Sequence, residues 1–226
     1  MIKNRISQIV FQTVYLAIGF IAIIGSLGYF NRIFEPYFYL WFTNLSNYIC
    51  YGFMIACFVF TIRNSKQNGY ICLSPKFNFM NLIMITITCL VYNFLLTKGI
   101  SAKEYFFNIT SLTLHLILPV MFMLHWVLFY EHGNARWFYP LLSAIMPLIY
   151  VAFVLIRAVI LKGKTGVMLW PYFFLDLDNL GWRKFTIWIL GLCAVFIALG
   201  YIFYFLDKIG KQKHHLDKNN SSKPIS

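Results

Sequence analysis

The chain has 226 residues, of which 60% are apolar and only 12% are charged. Soluble domains average roughly 45–50% apolar and about 25% charged residues, so this composition excludes an ordinary soluble enzyme. The formal net charge of +12 would suit a nucleic-acid-binding protein, but the basic residues lie in short connections and in the C-terminal tail. We therefore expect anionic lipid headgroups, rather than nucleic acid, to be the counter-charge.

Six apolar blocks, each about as long as the roughly 20-residue helix that spans a bilayer, divide the sequence. They predict an all-α, polytopic integral membrane protein whose residues 1–206 form one bundle of six transmembrane helices. The remaining residues, 207–226, are polar and basic and are predicted to be a disordered cytoplasmic tail. The predicted helices are 9–30, 39–62, 79–97, 106–130, 138–161 and 185–206.

The distribution of Lys and Arg predicts how the helices are oriented. More of these residues fall on the side of the bundle that would hold both termini, mainly because of the basic tail. The positive-inside rule then predicts a multi-pass protein of the cell membrane with both termini in the cytoplasm. The first apolar block is too long for a signal peptide and no cleavage site closes it, so we expect it to remain as a helix.

The cysteines predict neither a disulfide framework nor a metal site. The five cysteines contain no CxxC pair, and four of them lie inside apolar segments, where a thiol behaves as a small hydrophobe. No metal or other cofactor is therefore expected.

Polar residues cluster at the start of the second helix. A polar residue inside a membrane is costly unless it has a partner, so its position indicates function. Thr43 and Asn47 are neighbours on one helix face, and Asn44 lies on the adjacent stripe. The predicted topology places all three at the outer end of the bundle.

The fourth helix enters from the same side with a polar stripe of its own. Asn108, Ser111 and His115 follow one another at helical spacing and share one face. Pro119 cannot donate a hydrogen bond to the carbonyl of His115, so we expect a kink there and a carbonyl that needs another partner.

The outer end is also predicted to hold Asn93, Arg157 and Asp176. The loop 170–182 before the sixth helix is too aromatic for a solvated connection, so we expect it to fold back on the helices as a lid or an interfacial segment. Simpler interpretations remain open for single residues. Arg157 could reach headgroups, Asp176 could cap a loop, and His115 could be a structural histidine.

Three motifs together resemble a known family: FTNLSN at the second helix, H-x3-P-x5-H-W-x2-F in the fourth, and WPYFFLDLDNLGW before the sixth. They resemble the bacterial six-helix membrane relatives of the androgen-induced protein family. Animal members hydrolyse fatty acid esters of hydroxy fatty acids with a threonine nucleophile and a histidine. The resemblance assigns these roles to Thr43 and His115. The chain departs from the bacterial pattern at His125, where the relatives often have Asp.

The sequence thus favours an intramembrane hydrolase of a lipid ester that enters from the bilayer, with Thr43 as nucleophile and His115 as general base. An alternative is a membrane protein that binds or transports a lipid or small ligand with the same polar cluster. A third is a scaffold whose polar groups only pack helices. Candidate oxyanion or substrate contacts are Asn44, Asn47, Ser111, Asn93, Arg157 and Asp176.

Overall fold

The computed structural model describes residues 2–67, 71–97 and 101–221. Within these ranges the chain is helical and contains no strand, and six helices are long and apolar enough to cross a membrane. The predicted all-α class and the number of membrane helices are therefore confirmed.

The six helices are named α1 to α6 in chain order. The fourth helix consists of the segments Ile109–Leu112 and Leu118–Phe129, joined by a π-helical turn. The fifth consists of Tyr139–Ser143 and Ile145–Leu161. A short helix, Ala102–Phe107, precedes α4. The bounds are α1 Arg5–Ser26, α2 Phe42–Arg63, α3 Pro75–Val91, α4 Ile109–Phe129, α5 Tyr139–Leu161 and α6 Leu177–Ser221. Helix α6 is interrupted by a kink at Gly181, whose φ of 67° and ψ of 162° are not helical.

Two helices begin about one turn earlier than predicted because polar side chains cap them. The Asn4 side chain accepts a hydrogen bond from the backbone N–H of Ile6 at 2.9 Å. Ser74 caps α3, whose first turn contains Pro75. Apolar periodicity detects the membrane-embedded part of a helix but not a polar first turn, which side-chain caps stabilise.

The central helix is α3. Every residue from Asn78 to Thr88 is buried, including polar ones, because the other helices surround it. By contrast, only 11% of the apolar window of α6 is buried inside the protein. The buried centre of the bundle is filled by large side chains such as Tyr15, Met54 and Phe122.

The structure differs from the predicted disordered tail, because α6 continues to Ser221. Asp207 is completely buried and accepts a hydrogen bond from the backbone N–H of Ala135 at 2.9 Å. The adjacent Lys208 donates to the carbonyls of Gly133 and Ala135. These contacts hold the start of the tail against the loop between α4 and α5. Residues 222–226 lie outside the described residues.

A polar cluster near the termini is separate from the residues predicted to be functional. The side chains of Gln12 in α1 and His125 in α4 hydrogen bond at 3.1 Å, in the half of α4 away from His115. Both are buried, as are Asn78 and Tyr130, which line the same small space. The cluster joins α1, α3 and α4 at the end of the bundle that carries the termini.

We expect Asp207→Ala to lower the free energy of unfolding by about 1–3 kcal/mol, because it leaves the buried N–H of Ala135 without an acceptor. Thermal unfolding in detergent would show the loss as a lower Tm. Glu104→Ala, at an exposed carboxylate, is the matched control and should leave the Tm unchanged. Equal Tm values for the two variants would contradict the anchoring role of Asp207.

Candidate functional site

The first turn of α2 lacks a side-chain cap from its own N-cap residue, Trp41. Backbone N–H groups in the first turn of a helix need acceptors from elsewhere. Tyr172, in the loop before α6, supplies one: its hydroxyl hydrogen bonds with backbone groups of Phe42 and Thr43 and with the Thr43 side chain. Tyr172 therefore takes the place of an N-cap and holds the aromatic loop over the start of α2.

Tyr172 is also a hydrogen-bond donor over a wide pH range. Burial raises its pKa to about 12, and the hydrogen bonds with Thr43 and Phe42 oppose part of that rise. Its side chain is packed edge-on against the Trp41 ring, with ring centroids 5.5 Å apart. The hydroxyl consequently stays protonated near neutral pH, beside the Thr43 side chain.

His115 lies in the π-helical turn Thr113–Ile117 of α4, and its surroundings determine its tautomer. Its Nδ1 is 2.9 Å from the backbone carbonyl oxygen of Ser111. A carbonyl oxygen only accepts, so Nδ1 carries the hydrogen and Nε2 of the neutral ring keeps a lone pair. The imidazole also stacks on the Tyr92 ring, with centroids 3.4 Å apart and an interplanar angle of 8°. Its orientation is thus held by two contacts.

Two asparagine side chains bind carbonyls in the π-helical turn of α4. Asn93, in the π-helical turn Tyr92–Leu96 that follows α3, donates to the carbonyl of His115 at 2.9 Å. This carbonyl is the acceptor that Pro119 was predicted to leave free. Asn47 of α2 donates to the preceding carbonyl, that of Leu114, also at 2.9 Å. The predicted need for a new partner is therefore confirmed, and α2 and α3 supply it.

Asn47 connects the turn of α2 that carries Thr43 with the turn of α4 that carries His115. Its amide nitrogen donates to the carbonyl of Thr43 at 2.7 Å as well as to that of Leu114. Asn47 is 1% exposed, so these bonds lie in the protein interior, where an unmade bond costs most. One side chain therefore fixes the turn that carries Thr43 against the turn that carries His115.

Thr43 and His115 line one cavity of about 410 Å³ at this end of the bundle. Among the predicted residues, Asn44 and Ser111 line it too. Among the described residues no hydrogen bond joins Thr43 to His115, and both border the same cavity. The full lining is Trp41, Thr43, Asn44, Tyr92, Leu96, Ser111, His115, Pro171, Tyr172 and Phe173.

Two predicted contact residues, Asn47 and Asn93, do not line this cavity. Their amide groups donate hydrogen bonds to backbone carbonyls and so hold helices in place. Asn44 lines the cavity, but its side-chain nitrogen donates to the carbonyl of Phe38 at 3.0 Å. The asparagines of this site thus act mainly on the backbone.

Arg157 and Asp176 also lie away from the cavity. The Arg157 guanidinium donates to the carbonyl of Met168 at 2.6 Å and lies 5.8 Å from the centre of the Tyr39 ring. The Asp176 carboxylate accepts from the backbone and side chain of Asn179 and so caps the first turn of α6. Each of these side chains holds the loop that precedes α6 in its observed conformation.

Two tyrosines that the sequence did not single out complete the site. Tyr172 belongs to the aromatic loop that was expected to fold back as a lid, and the cavity lining confirms that it does. Nothing in the sequence pointed to Tyr92. Its hydroxyl hydrogen bonds with that of Ser111 at 3.2 Å, which fixes the ring against His115.

No family model, curated protein or solved structure matches this chain. The site combines a hydroxyl, an imidazole with a free Nε2 and a protonated phenol around one cavity, which are the groups that acyl transfer requires.

We expect Asn47→Ala to lower the free energy of unfolding by about 1–3 kcal/mol, because the buried carbonyl of Leu114 loses the donor that Asn47 provides. The Thr43 carbonyl keeps the Ser46 hydroxyl as a donor. Adding Pro119→Ala should restore part of the loss, since the new N–H can reach a carbonyl of the preceding turn. Thermal unfolding of the single and double variants in detergent measures both effects.

Asn64→Ala is the control for this pair, because Asn64 donates to a carbonyl at the opposite end of α2. Pro119→Ala should give no rescue in that background. An equal effect of Pro119→Ala in both backgrounds would contradict the link between Asn47 and the kink.

Proposed function

We propose that this protein is an intramembrane hydrolase that cleaves lipid esters, with Thr43 as nucleophile and His115 as general base. The observation that carries the proposal is that both residues line one cavity while His115 is held with Nε2 unprotonated. A threonine hydroxyl is a weak nucleophile until a base removes its proton, so the pair is the minimum that acyl transfer needs.

In the proposed reaction, the Thr43 hydroxyl attacks the ester carbonyl and Nε2 of His115 takes its proton. The tetrahedral intermediate then collapses, the carbon–oxygen bond to the alcohol breaks, and His115 returns the proton to the leaving oxygen. Water attacks the acyl-threonine in the same way, with His115 again as base. The products are a free carboxylic acid, an alcohol and regenerated Thr43.

Tyr172 is the proposed donor to the oxyanion. Its oxygen interacts with the backbone at the start of α2, where the helix dipole is positive, and its own hydrogen remains available to a neighbouring negative charge. Asn44 is less suited to this role, because its side-chain nitrogen already donates to Phe38. A preorganised donor beside the nucleophile is the main electrostatic contribution expected in acyl transfer.

The contacts of His115 suit a ring that becomes positively charged during the reaction. The Ser111 carbonyl accepts from Nδ1 in both protonation states. The face of the Tyr92 ring attracts a cation stacked on it. Tyr92 and the Ser111 carbonyl thus serve as the third, orienting member beside the nucleophile and the base.

The six membrane helices and the aromatic loop over the cavity support a substrate drawn from the bilayer. The three sequence motifs support membership of the androgen-induced protein family and, with it, fatty acid esters of hydroxy fatty acids as substrates. We propose a location in the cell membrane with both termini in the cytoplasm, where the basic residues would face anionic headgroups.

The proposal is tested by labelling the detergent-purified protein with an alkyl fluorophosphonate, followed by intact mass measurement and peptide mapping. We expect one adduct on Thr43. Thr43→Ala and His115→Ala should remove it, because they delete the nucleophile and its base, while Thr43→Ser should keep it. Thr13→Ala, at an exposed threonine of α1, is the control and should label as the unmodified protein does.

Absence of labelling over a range of alkyl chain lengths, in protein that unfolds at the normal temperature, would contradict the hydrolase. The result would favour a protein that binds or transports a lipid without cleaving it.

We further expect Tyr172→Phe to lower kcat by about 10²-fold while KM changes little, because the hydroxyl would act only on the oxyanion. The pKa of about 12 keeps this hydroxyl protonated through the neutral range, so its loss should not alter the shape of the pH profile there. Steady-state hydrolysis of a chromogenic ester as a function of pH measures both. A changed pH profile with unchanged kcat would contradict the assigned role.

A further inference from the structure

A second, smaller cavity of about 50 Å³ also has Thr43 in its lining. Thr43 and Tyr172 line both cavities, so the nucleophile candidate stands where the two meet. We call the smaller one the apolar slot. Its remaining walls come from α2, α3, α5, α6 and the aromatic loop: Phe42, Ile87, Thr88, Val91, Pro147, Tyr150, Val151, Phe174, Leu175, Leu192 and Phe196.

The polar side chains deeper in the slot are already engaged. The Thr88 hydroxyl hydrogen bonds with that of Ser46 at 2.6 Å. The Tyr150 hydroxyl donates to the carbonyl of Leu40 at 2.8 Å. The slot, including the parts of Thr43 and Tyr172 that line it, therefore offers a ligand only hydrocarbon surface, which suits an aliphatic chain.

The larger cavity differs in its chemistry. It contains His115, Ser111 and the edge of Tyr92, and His115 does not line the slot. In ester cleavage the base must reach the leaving oxygen to protonate it. The alcohol part of the substrate must therefore lie on the His115 side of Thr43.

We propose that the apolar slot binds the acyl chain of the substrate, while the alcohol part occupies the larger cavity. This inference rests on the proposed hydrolase function and adds the orientation of the ester. When the ester carbonyl lies at Thr43, the acyl chain and the alcohol part extend from it into two cavities that differ in size and polarity. The protein consequently selects esters by the length of their acyl chain, and it accepts alcohol parts of many sizes.

The orientation also explains why Tyr172 is shared by both cavities. The tyrosine hydroxyl interacts with Thr43 at the junction, so it lies beside the carbonyl carbon rather than beside either arm. Its ring stacks on that of Phe174, a residue of the slot, with centroids 5.0 Å apart. The loop thus forms the oxyanion donor and part of the acyl wall together.

The test uses two series of chromogenic esters, one varying the acyl chain from acetyl to decanoyl and one varying the alcohol. Val151→Phe fills the slot from α5, where Val151 is 8% exposed. We expect it to reduce kcat/KM for the longer acyl chains by about tenfold or more relative to kcat/KM for the acetyl ester, as lost pocket space does. The alcohol series should be unaffected.

Val159→Phe is the matched control, since Val159 lies on the same helix and is 75% exposed. Its chain-length profile should equal that of the unmodified protein. Leu192→Ala enlarges the slot from α6 and should shift the preferred acyl chain to greater length. General damage to the fold would lower the activity towards all esters. It would not shift the preferred acyl chain length in opposite directions in Val151→Phe and Leu192→Ala.

The outcomes separate the inference from the function on which it rests. If the unmodified protein hydrolyses no ester in a Thr43-dependent manner, the proposed function fails. If Thr43-dependent hydrolysis occurs but Val151→Phe and Leu192→Ala leave the acyl profile unchanged, the assignment of the slot is overturned. If the two slot variants change the alcohol series instead, the ester lies in the reverse orientation, and the assignment of the slot to the acyl chain is overturned as well.

Discussion

The missing N–H of Pro119 is the constraint on which the arrangement of this site depends. It leaves α4 short of a donor in the turn that carries His115, and a buried carbonyl without a donor is costly. Asn93 and Asn47 bind the carbonyls of His115 and Leu114, so α3 and α2 are held against the same turn. Asn47 also binds the carbonyl of Thr43. The cost of the kink is thereby offset by contacts that set the spacing of the two candidate catalytic residues.

A second unsatisfied group, the start of α2, organises the other side of the cavity. Trp41 provides no side-chain cap, and the hydroxyl of Tyr172 interacts with the first-turn backbone instead. This contact holds the aromatic loop over the helix end, where Pro171, Tyr172 and Phe173 form part of the cavity wall. Exposed helix N-termini attract negative charge. The same feature that recruits the loop therefore prepares the place where an oxyanion would form.

The polar residues of the bundle divide into those that hold the backbone and those that remain available for chemistry. Asn47, Asn93, Arg157 and Asp176 all bind backbone groups, and Asp207 does so at the opposite end. The cavity is lined by Thr43, Tyr172 and His115, and Nε2 of the His115 ring keeps its lone pair. In a membrane, backbone groups cannot hydrogen bond with water. Many polar side chains are therefore needed to stabilise the fold, and only a few remain available for catalysis.

The sequence alone determined the six membrane helices, because each apolar block has the length that a bilayer demands. It also determined that Pro119 frees the His115 carbonyl and that the aromatic loop folds back, since both follow from local chemistry. Only the tertiary structure decided which side chains meet the freed groups. Asn93, Tyr92 and Tyr172 are distant in sequence from the groups they contact, and helical spacing says nothing about a neighbouring helix. The same applies to the first residues of the tail, where the Asp207 carboxylate and the Lys208 side chain hydrogen bond with the backbone of Ala135.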